Sequence, residues 1–516
     1  MIPGVTLLAT RVGAVSGWRR LVLGFLAGAA LAGAQAPLSW PILLFVGLPV
    51  LFRLLDGCRG PIGGALLGWA AGLGYFAADL FWIVEPFMVD AARFGWMAPF
   101  ALAGMAGGLA LFWAAAFGLA RAVWPPGPSR VLVLAALWTF ADYARAHVLT
   151  GFPWGLPAYA WIETPVAQTA ALFGPHVLGF LTLVAGLSLG LATWRGAAMA
   201  AALVAAGWTL GMVRLAAPAP ERAEPVIVRL VQPNARQEEK WLPGKDAEFF
   251  QRLIDLTRAP ADPMPDVTLW PETAVSFVLD DDPAAQALAA AATGPAGRLI
   301  TGIRRVELWP QGQVWFNSLA VLAPDGAEQG IYDKHHLVPF GEYIPKAGLV
   351  ARLGIPGLET LTGGGFSPGP GPRLVAPPGL PPFLPLICYE AIFPDGARAP
   401  GGRPEWIVQL TNDAWFGEVS GPYQHLAQAR ARAIEQGVPL ARAANTGISA
   451  MIDARGEIVE SLGLGRAGYI DVALPGALPP TLYFMLGDWP GLAAIAFIFV
   501  LTVTNFYGGI SLTRQR

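Results

Sequence analysis

Through its first 214 residues the chain carries eleven arginines, six acidic residues and no lysine, with long apolar stretches between them. Nothing else in the sequence narrows the possible folds so far. A bilayer core about 30 Å thick takes about 20 mainly apolar residues per helix. Windows of that kind run roughly over residues 20–37, 38–55, 62–84, 97–120, 129–148, 167–193 and 196–214, with an eighth at roughly 487–507. Pro37, Pro41, Pro125, Pro126 and Pro490 punctuate their ends. The expectation is a multi-pass α-helical membrane domain over 1–214, with one further helix, 487–507, near the C-terminus.

The remaining residues read differently. All four lysines (Lys240, Lys245, Lys334 and Lys346) fall after residue 214, with most of the acidic side chains. Charged residues make up only 14% of the whole chain and mean hydropathy is +0.49, where an ordinary soluble domain carries about 25% charge. That composition argues against a wholly soluble enzyme. A formal charge of −2 argues against nucleic acid as a partner. Two cysteines, Cys58 and Cys388, rule out a disulfide framework and any cysteine-rich metal centre.

Arginines in short loops set the orientation of membrane helices. With the N-terminus inside, Arg11, Arg19, Arg20, Arg53, Arg59, Arg121, Arg130, Arg195, Arg514 and Arg516 are cytoplasmic, and the outside loops hold Arg93 and Arg145. Seven crossings place residues 224–475 outside, and the eighth returns 508–516 to the cytoplasm as a tail. Arg214 lies on the wrong side of this scheme. Arg19-Arg20, the apolar run behind it and the small residues Ala32–Ala36 also fit a cleavable signal peptide. Cleavage there leaves the remaining spans oriented as before.

Residues 224–475 have the pattern of an α/β domain. Apolar, β-branched runs recur at Val226–Val231, Val267–Trp270, Leu299–Ile303, Asn317–Leu322, Phe383–Tyr389, Trp406–Leu410, Pro439–Ala443 and Ile448–Ile452. Helical patterns separate several of them, at Asp246–Arg258, Pro283–Ala292 and Tyr423–Gln436, so layered α/β packing is expected. The Gly/Pro-rich stretch Thr362–Pro372 reads equally as a mobile loop or a spacer.

Three strings within this domain carry reactive side chains. Trp270-Pro271-Glu272 closes an apolar strand, Tyr332-Asp333-Lys334 follows a strand, and Ile387-Cys388-Tyr389-Glu390 closes another. A carboxylate, an amine and a thiol at strand ends would suit a nucleophilic site. Taken singly each has a plainer reading: a buried Cys is usually an inert hydrophobe, Glu272 a cap or ion pair, Lys334 a solvated charge. Spacing alone does not separate these readings.

The wording of the strings does. WPET, YDKHHLVPFGEYIP, ICYE and TNDAWFG resemble the nitrilase (carbon–nitrogen hydrolase) superfamily. Set between membrane spans, with HLVPFGE, NDAWFG and the TGFPWG loop Thr150–Gly155, they resemble the apolipoprotein N-acyltransferase family over almost the whole chain. The resemblance implies an exported nitrilase-like αββα sandwich with a Glu272–Lys334–Cys388 catalytic triad. It implies supporting or oxyanion roles for Tyr389, Glu390 and Glu342, and substrate-side positions for Trp241, Asn317, Asn412 and Trp415. The implied reaction moves the sn-1 chain of a phospholipid, commonly phosphatidylethanolamine, through a Cys388 thioester to the α-amino group of a diacylglyceryl-cysteine on an apolipoprotein. It implies no cofactor and no metal, and a monomer in the bacterial inner membrane with its catalytic domain in the periplasm. Trp241–Leu242 and Thr362–Pro372 would be water-excluding lids.

Other candidates are weaker. His335-His336 point to different faces if extended and lack a helical i, i+4 partner, so a metal site is not indicated. His425 reads equally as a motif residue or a structural one. Asp79, Glu85 and Asp90 flank the outer end of the third span, as an interfacial loop or as functional intramembrane charges. Two rival functions are a membrane-tethered amidase using the same triad with water, and a transporter, which would need paired broken helices or internal repeats.

Overall fold

The structure is a computed structural model. It describes residues 3–218, 220–310, 312–345 and 365–514, with side chains over 6–505 of these. Lys346 and the start of the Thr362–Pro372 stretch lie outside the described residues. The chain forms two compact units, one of Met1–Ala217, Val419–Ala427 and Pro480–Arg516, the other of Pro218–Glu418 and Gln428–Pro479.

The first unit is helical. Among the described residues, four helices are long and apolar enough to cross a membrane: Gly60–Asp79, Ala91–Ala122, Pro165–Leu189 and Trp194–Ala216, with a shorter apolar one at Trp489–Asn505. The two earliest windows form helices of only 15 and 13 residues, Trp18–Ala32 and Leu44–Asp56, which at about 1.5 Å per residue fall short of the hydrocarbon thickness. Ser129–His147 has the length but carries Arg130, Asp142 and Arg145.

Small residues set the helix spacing in this unit. A Cβ on Gly28 would lie 1.9 Å from the Ala71 carbonyl oxygen, and one on Gly74 would lie 2.1 Å from that of Phe25. Glycine alone lets the helices Trp18–Ala32 and Gly60–Asp79 approach this closely. Arg145, counted above with the outside loops, is instead buried inside its helix. It donates to Phe152 O at 2.6 Å, to Trp154 O at 2.7 Å and to Asp142 at 3.2 Å. A buried guanidinium needs such partners for its fixed fork of donors, and the TGFPWG loop supplies two of them. Asp79 is also buried, accepting from Gln424 Nε2 at 2.9 Å, while Trp82 and Trp154 donate to Gln424 Oε1 at 3.1 and 2.8 Å. Fully buried His425 faces Trp154.

The second unit is a sandwich of two sheets. Strands β1 (Ile227–Gln232), β2 (Val267–Leu269), β3 (Arg298–Trp309), β4 (Gly312–Leu322), β5 (Glu328–Asp333) and β11 (Gly468–Ala473) make a six-stranded sheet ordered β11-β1-β2-β3-β4-β5. Strands β6 (Phe383–Ile387), β7 (Trp406–Thr411), β8 (Leu440–Ala444), β9 (Ser449–Ile452) and β10 (Ile458–Leu462) make a five-stranded one ordered β10-β9-β8-β7-β6. The pairs β1–β2, β2–β3, β6–β7 and β7–β8 are parallel. Parallel strands are covered on both faces and so read as unbroken apolar runs. That is why WIVQLT of β7 is buried at every position.

Between the sheets, Val228, Leu230, Leu269, Ile300 and Val321 pack with Phe383, Ile387, Trp406, Val408 and Leu410. On the other face of the six-stranded sheet, Val231, Leu299 and Ile303 meet Leu253 and Ile254 of the helix Lys245–Thr257 and Ala289 and Ala290 of Pro283–Ala291. The short edge strands β5, β10 and β11 escaped the sequence reading, because β5 (EQGIYD) and the largely exposed β10 lack a long apolar run, and Tyr332-Asp333, expected to follow a strand, instead close β5. The expected strand Phe383–Tyr389 stops at Ile387, since Cys388 turns the backbone to φ 52°.

Candidate active site

Glu272 comes two residues after the buried Trp270, behind a proline that has no N–H to extend the ladder. Its position rests on a close approach by β3: Pro271 O accepts from Gly302 N, and Ala274 N donates to Gly302 O at 2.9 Å. A Cβ at Gly302 would lie 2.6 Å from Glu272 Cα, Pro271 O and Thr273 N, so glycine is needed there for space.

Asn317 and Lys334 meet by antiparallel register. Ser318 pairs with Asp333, and Lys334 N donates to Asn317 O at 2.8 Å, which puts the two side chains on one face. Asn317 Nδ2 then donates 2.7 Å to Glu272 Oε1 and 2.7 Å to Glu342 Oε1. Lys334 Nζ lies 2.9 Å from the Glu342 carboxylate and 3.4 Å from Glu272 Oε1. The other Glu272 oxygen accepts from Asn412 N, just past the end of β7, at 2.9 Å. Glu342 is held in turn by Val338 N at 2.7 Å.

Cys388 follows β6 and is 6% exposed. A left-handed non-glycine residue stores strain of about 1–3 kcal/mol, which the fold must offset elsewhere. Burial pushes the Cys388 thiol up, and the Glu272 charge pushes it further, against the opposing pull of Lys334. Burial works against the Lys334 ammonium, but Glu342 and Glu272 outweigh it and raise its pKa above the ordinary lysine value. Burial and Glu272 thus favour the thiol form of Cys388, while Glu342 and Glu272 favour the ammonium form of Lys334.

Glu390 and Tyr389 lie in the 3-10 turn that begins at Cys388. Glu390 is fully enclosed, and among the described residues its carboxylate has no hydrogen bond to Glu272, Lys334 or the Cys388 thiol. Its Oε1 accepts from His335 N at 2.8 Å, His336 N at 3.2 Å and Tyr332 OH at 3.0 Å, and its Oε2 accepts from Ile387 N at 2.8 Å. Burial opposes its ionisation, yet the His335 ring and the Ile387 N–H hold it below the usual carboxylate range. It ties the end of β6 to the loop just past Lys334. His335 and His336 thus serve Glu390, and the His336 ring stacks on Phe393 at 3.7 Å. Tyr389 also packs on Phe393.

The remaining expected residues are placed unequally. Trp241 is 48% exposed, with the Arg304 guanidinium 4.8 Å and Lys240 Nζ 5.9 Å from its ring centre. Asn412 is committed to the protein: its Nδ2 donates to Gln237 Oε1 at 3.1 Å and its Oδ1 accepts from Asn445 Nδ2 at 2.9 Å. Trp415 is half-exposed and has no hydrogen bond or ring contact among the described residues. Sequence reasoning missed Gln237, Asn445 and Lys240. Only Lys240 carried a signal, the scarcity of lysine.

Residues 27–188 match the apolipoprotein N-acyltransferase N-terminal domain, and residues 227–478 match the carbon-nitrogen hydrolase family. The apolipoprotein N-acyltransferase of Rhodopseudomonas palustris is 40% identical over 512 residues, spanning 94% of this chain and 95% of that protein. The one from Bradyrhizobium diazoefficiens is 42% identical over 511 residues, with the same coverages. The one from Brucella suis is 37% identical over 535 residues, spanning 99% of both. A Nesterenkonia amidase from the nitrilase superfamily is 18% identical, with a TM-score of 0.35, covering 50% of this chain and 94% of its own.

Proposed function

Because this chain belongs to the apolipoprotein N-acyltransferase family, we propose that it N-acylates lipoproteins through a thioester on Cys388, with Glu272 as proton carrier and Lys334 as oxyanion donor. The observation that carries the reading is the buried cluster itself. Glu272 is fixed by two donors, Asn317 Nδ2 and Asn412 N, and the Lys334 ammonium lies 3.4 Å from it, with a thiol nearby whose pKa burial raises.

A neutral thiol is a poor nucleophile. In the first half-reaction Glu272 takes the Cys388 proton as Sγ attacks the sn-1 ester carbonyl of a phospholipid such as phosphatidylethanolamine. Negative charge grows on the ester oxygen, where the Lys334 ammonium and the Tyr389 backbone N–H stabilise it. One such donor is worth about 3–4 kcal/mol in characterised enzymes. Collapse breaks the C–O bond, and the leaving alkoxide takes the proton from Glu272 to give a lysophospholipid. In the second half-reaction the neutral α-amine of a diacylglyceryl-cysteine attacks the thioester, passes a proton to Glu272 and forms the amide. The departing Cys388 thiolate recovers that proton.

Lys334 is unsuited to be the base because its carboxylate neighbours favour the ammonium. Glu342 balances its charge, and Asn317, Asn412 and Glu390 act through the groups they hold. Trp241 and Trp415, both exposed, offer apolar surface to acyl chains, and Trp241–Leu242 acts as a lid against the water that would hydrolyse the thioester. The apolar windows are read as eight spans, and the arginines of the short loops, Arg145 excepted, support both termini cytoplasmic and the catalytic unit periplasmic. The protein is read as a monomer.

The test is intact mass after incubation with phospholipid alone. A gain of one acyl chain, removed by hydroxylamine and absent from Cys388→Ala, is expected, and a diacylated lipopeptide then discharges it to N-acylated product. Acylation of Cys388→Ala refutes the nucleophile. Release of free fatty acid with no transfer to the lipopeptide favours the tethered hydrolase.

A further inference from the structure

Lys240 is the last residue of the short helix Gln237–Lys240 and is 3% exposed. Its ammonium donates to Thr273 O, and among the described residues it has no carboxylate within ion-pair distance. Burying a lysine without a paired anion is costly, and a lysine with no local task is normally solvated. The carbonyl it holds belongs to the residue right after Glu272. Thr273 is left-handed at φ 46°, a strained backbone for a β-branched side chain. The helix carrying Lys240 is anchored in turn to the residue that fixes Glu272, since Gln237 Oε1 accepts from Asn412 Nδ2.

We propose that Lys240 is a positioning residue for acyl-enzyme formation: its ammonium clamps the strained Thr273 turn and adds a second positive charge beside the Glu272 carboxylate. The inference rests on the triad reading above. Lys240 touches neither the thiol nor the substrate in this scheme; it acts through Glu272. The charged and titratable groups around Glu272 are Lys334 after β5, Glu342 on the following loop, Cys388 after β6 and Lys240, with Arg304 on β3 acting on Lys240. Burial lowers Lys240 to about 8, against the raising effect of Glu272. The clamp is therefore charged below that pH and is discharged as pH rises through it.

The experiment measures single-turnover acylation of the full-length protein in detergent, with phosphatidylethanolamine as donor, for wild type, Lys240→Met and Lys240→Arg. In Lys240→Met the acylation rate falls about tenfold or more, as small misplacements near a reacting centre commonly do, while KM for the phospholipid is unchanged. Lys240→Arg restores most of the rate, and the basic limb that wild type shows near pH 8 moves upward, because a guanidinium stays charged. Wild-type rate and pH profile in Lys240→Met overturn the proposal. If Lys240→Met fails to fold, the other two profiles decide: absence of the limb from wild type, or its persistence in Lys240→Arg, overturns it. Cys388→Ala, assayed alongside, separates the two readings, because acylation of that variant sinks the triad assignment itself.

Discussion

Gly302→Ala adds one methyl group at the point where β3 passes beneath the Pro271–Thr273 turn. The new Cβ would sit 2.6 Å from Glu272 Cα, Pro271 O and Thr273 N. All three are backbone atoms, so no side chain can swing aside. Ordinary contact needs roughly 3.4 Å or more, and the turn must therefore retreat by roughly 0.8 Å or the strand must bend; overpacking of this kind costs about 1–3 kcal/mol. The same displacement carries Glu272 away from Asn317 Nδ2, Lys334 Nζ and Asn412 N together. A shift near 1 Å is worth about a hundredfold in rate. The acylation half-reaction should thus slow by about 10–100-fold, with a lowered thermal midpoint in detergent. Wild-type acylation by a folded Gly302→Ala protein would refute the claim that Glu272 is placed by this approach.

Two further outcomes are expected. Asn317→Ala removes one donor shared by two buried carboxylates, each such bond being worth about 1.5–3 kcal/mol. Acylation should drop by roughly ten- to a hundredfold with phospholipid binding retained, read from a kcat and KM split. Glu390→Gln should loosen the tie between β6 and the 335–336 loop. Glu390 is held below its ordinary value when folded, so its contribution is complete above the unfolded carboxylate range of about 4.3 and is lost as pH falls through the folded value. The stability gap between wild type and Glu390→Gln should accordingly shrink as pH is lowered below about 4 and be full at neutral pH, checked by thermal melts across pH.

The strings that carry Glu272, Lys334 and Cys388 stood out in the sequence through their resemblance to a family, since each residue taken singly had a plainer reading. Glu272 and Cys388 follow the apolar strands β2 and β6, and Lys334 follows the edge strand β5, and a strand end is set by a few neighbouring residues. Their division of labour could not be read that way. Glu342 and Glu390 looked alike as motif carboxylates, but Glu342 lies 2.9 Å from Lys334, while Glu390 is spent on the backbone of His335 and Ile387. Asn412 was expected on the substrate side, and its amide instead joins Gln237 and Asn445. Lys240 gave no motif, and its burial depends on segments that meet only in the folded domain.

By itself, the sequence determined which stretches shun water and which tolerate it, because apolar content and charge act residue by residue. It also determined which chemical groups were available to react. Tertiary structure alone decided which of those groups meet. Asn412 is 140 residues from Glu272, Lys334 is 62 away, and Asn317 is 45 away. Strand order and register bring them within a hydrogen bond of one carboxylate, and pairing across such separations is written in the packing of both sheets rather than in any single segment.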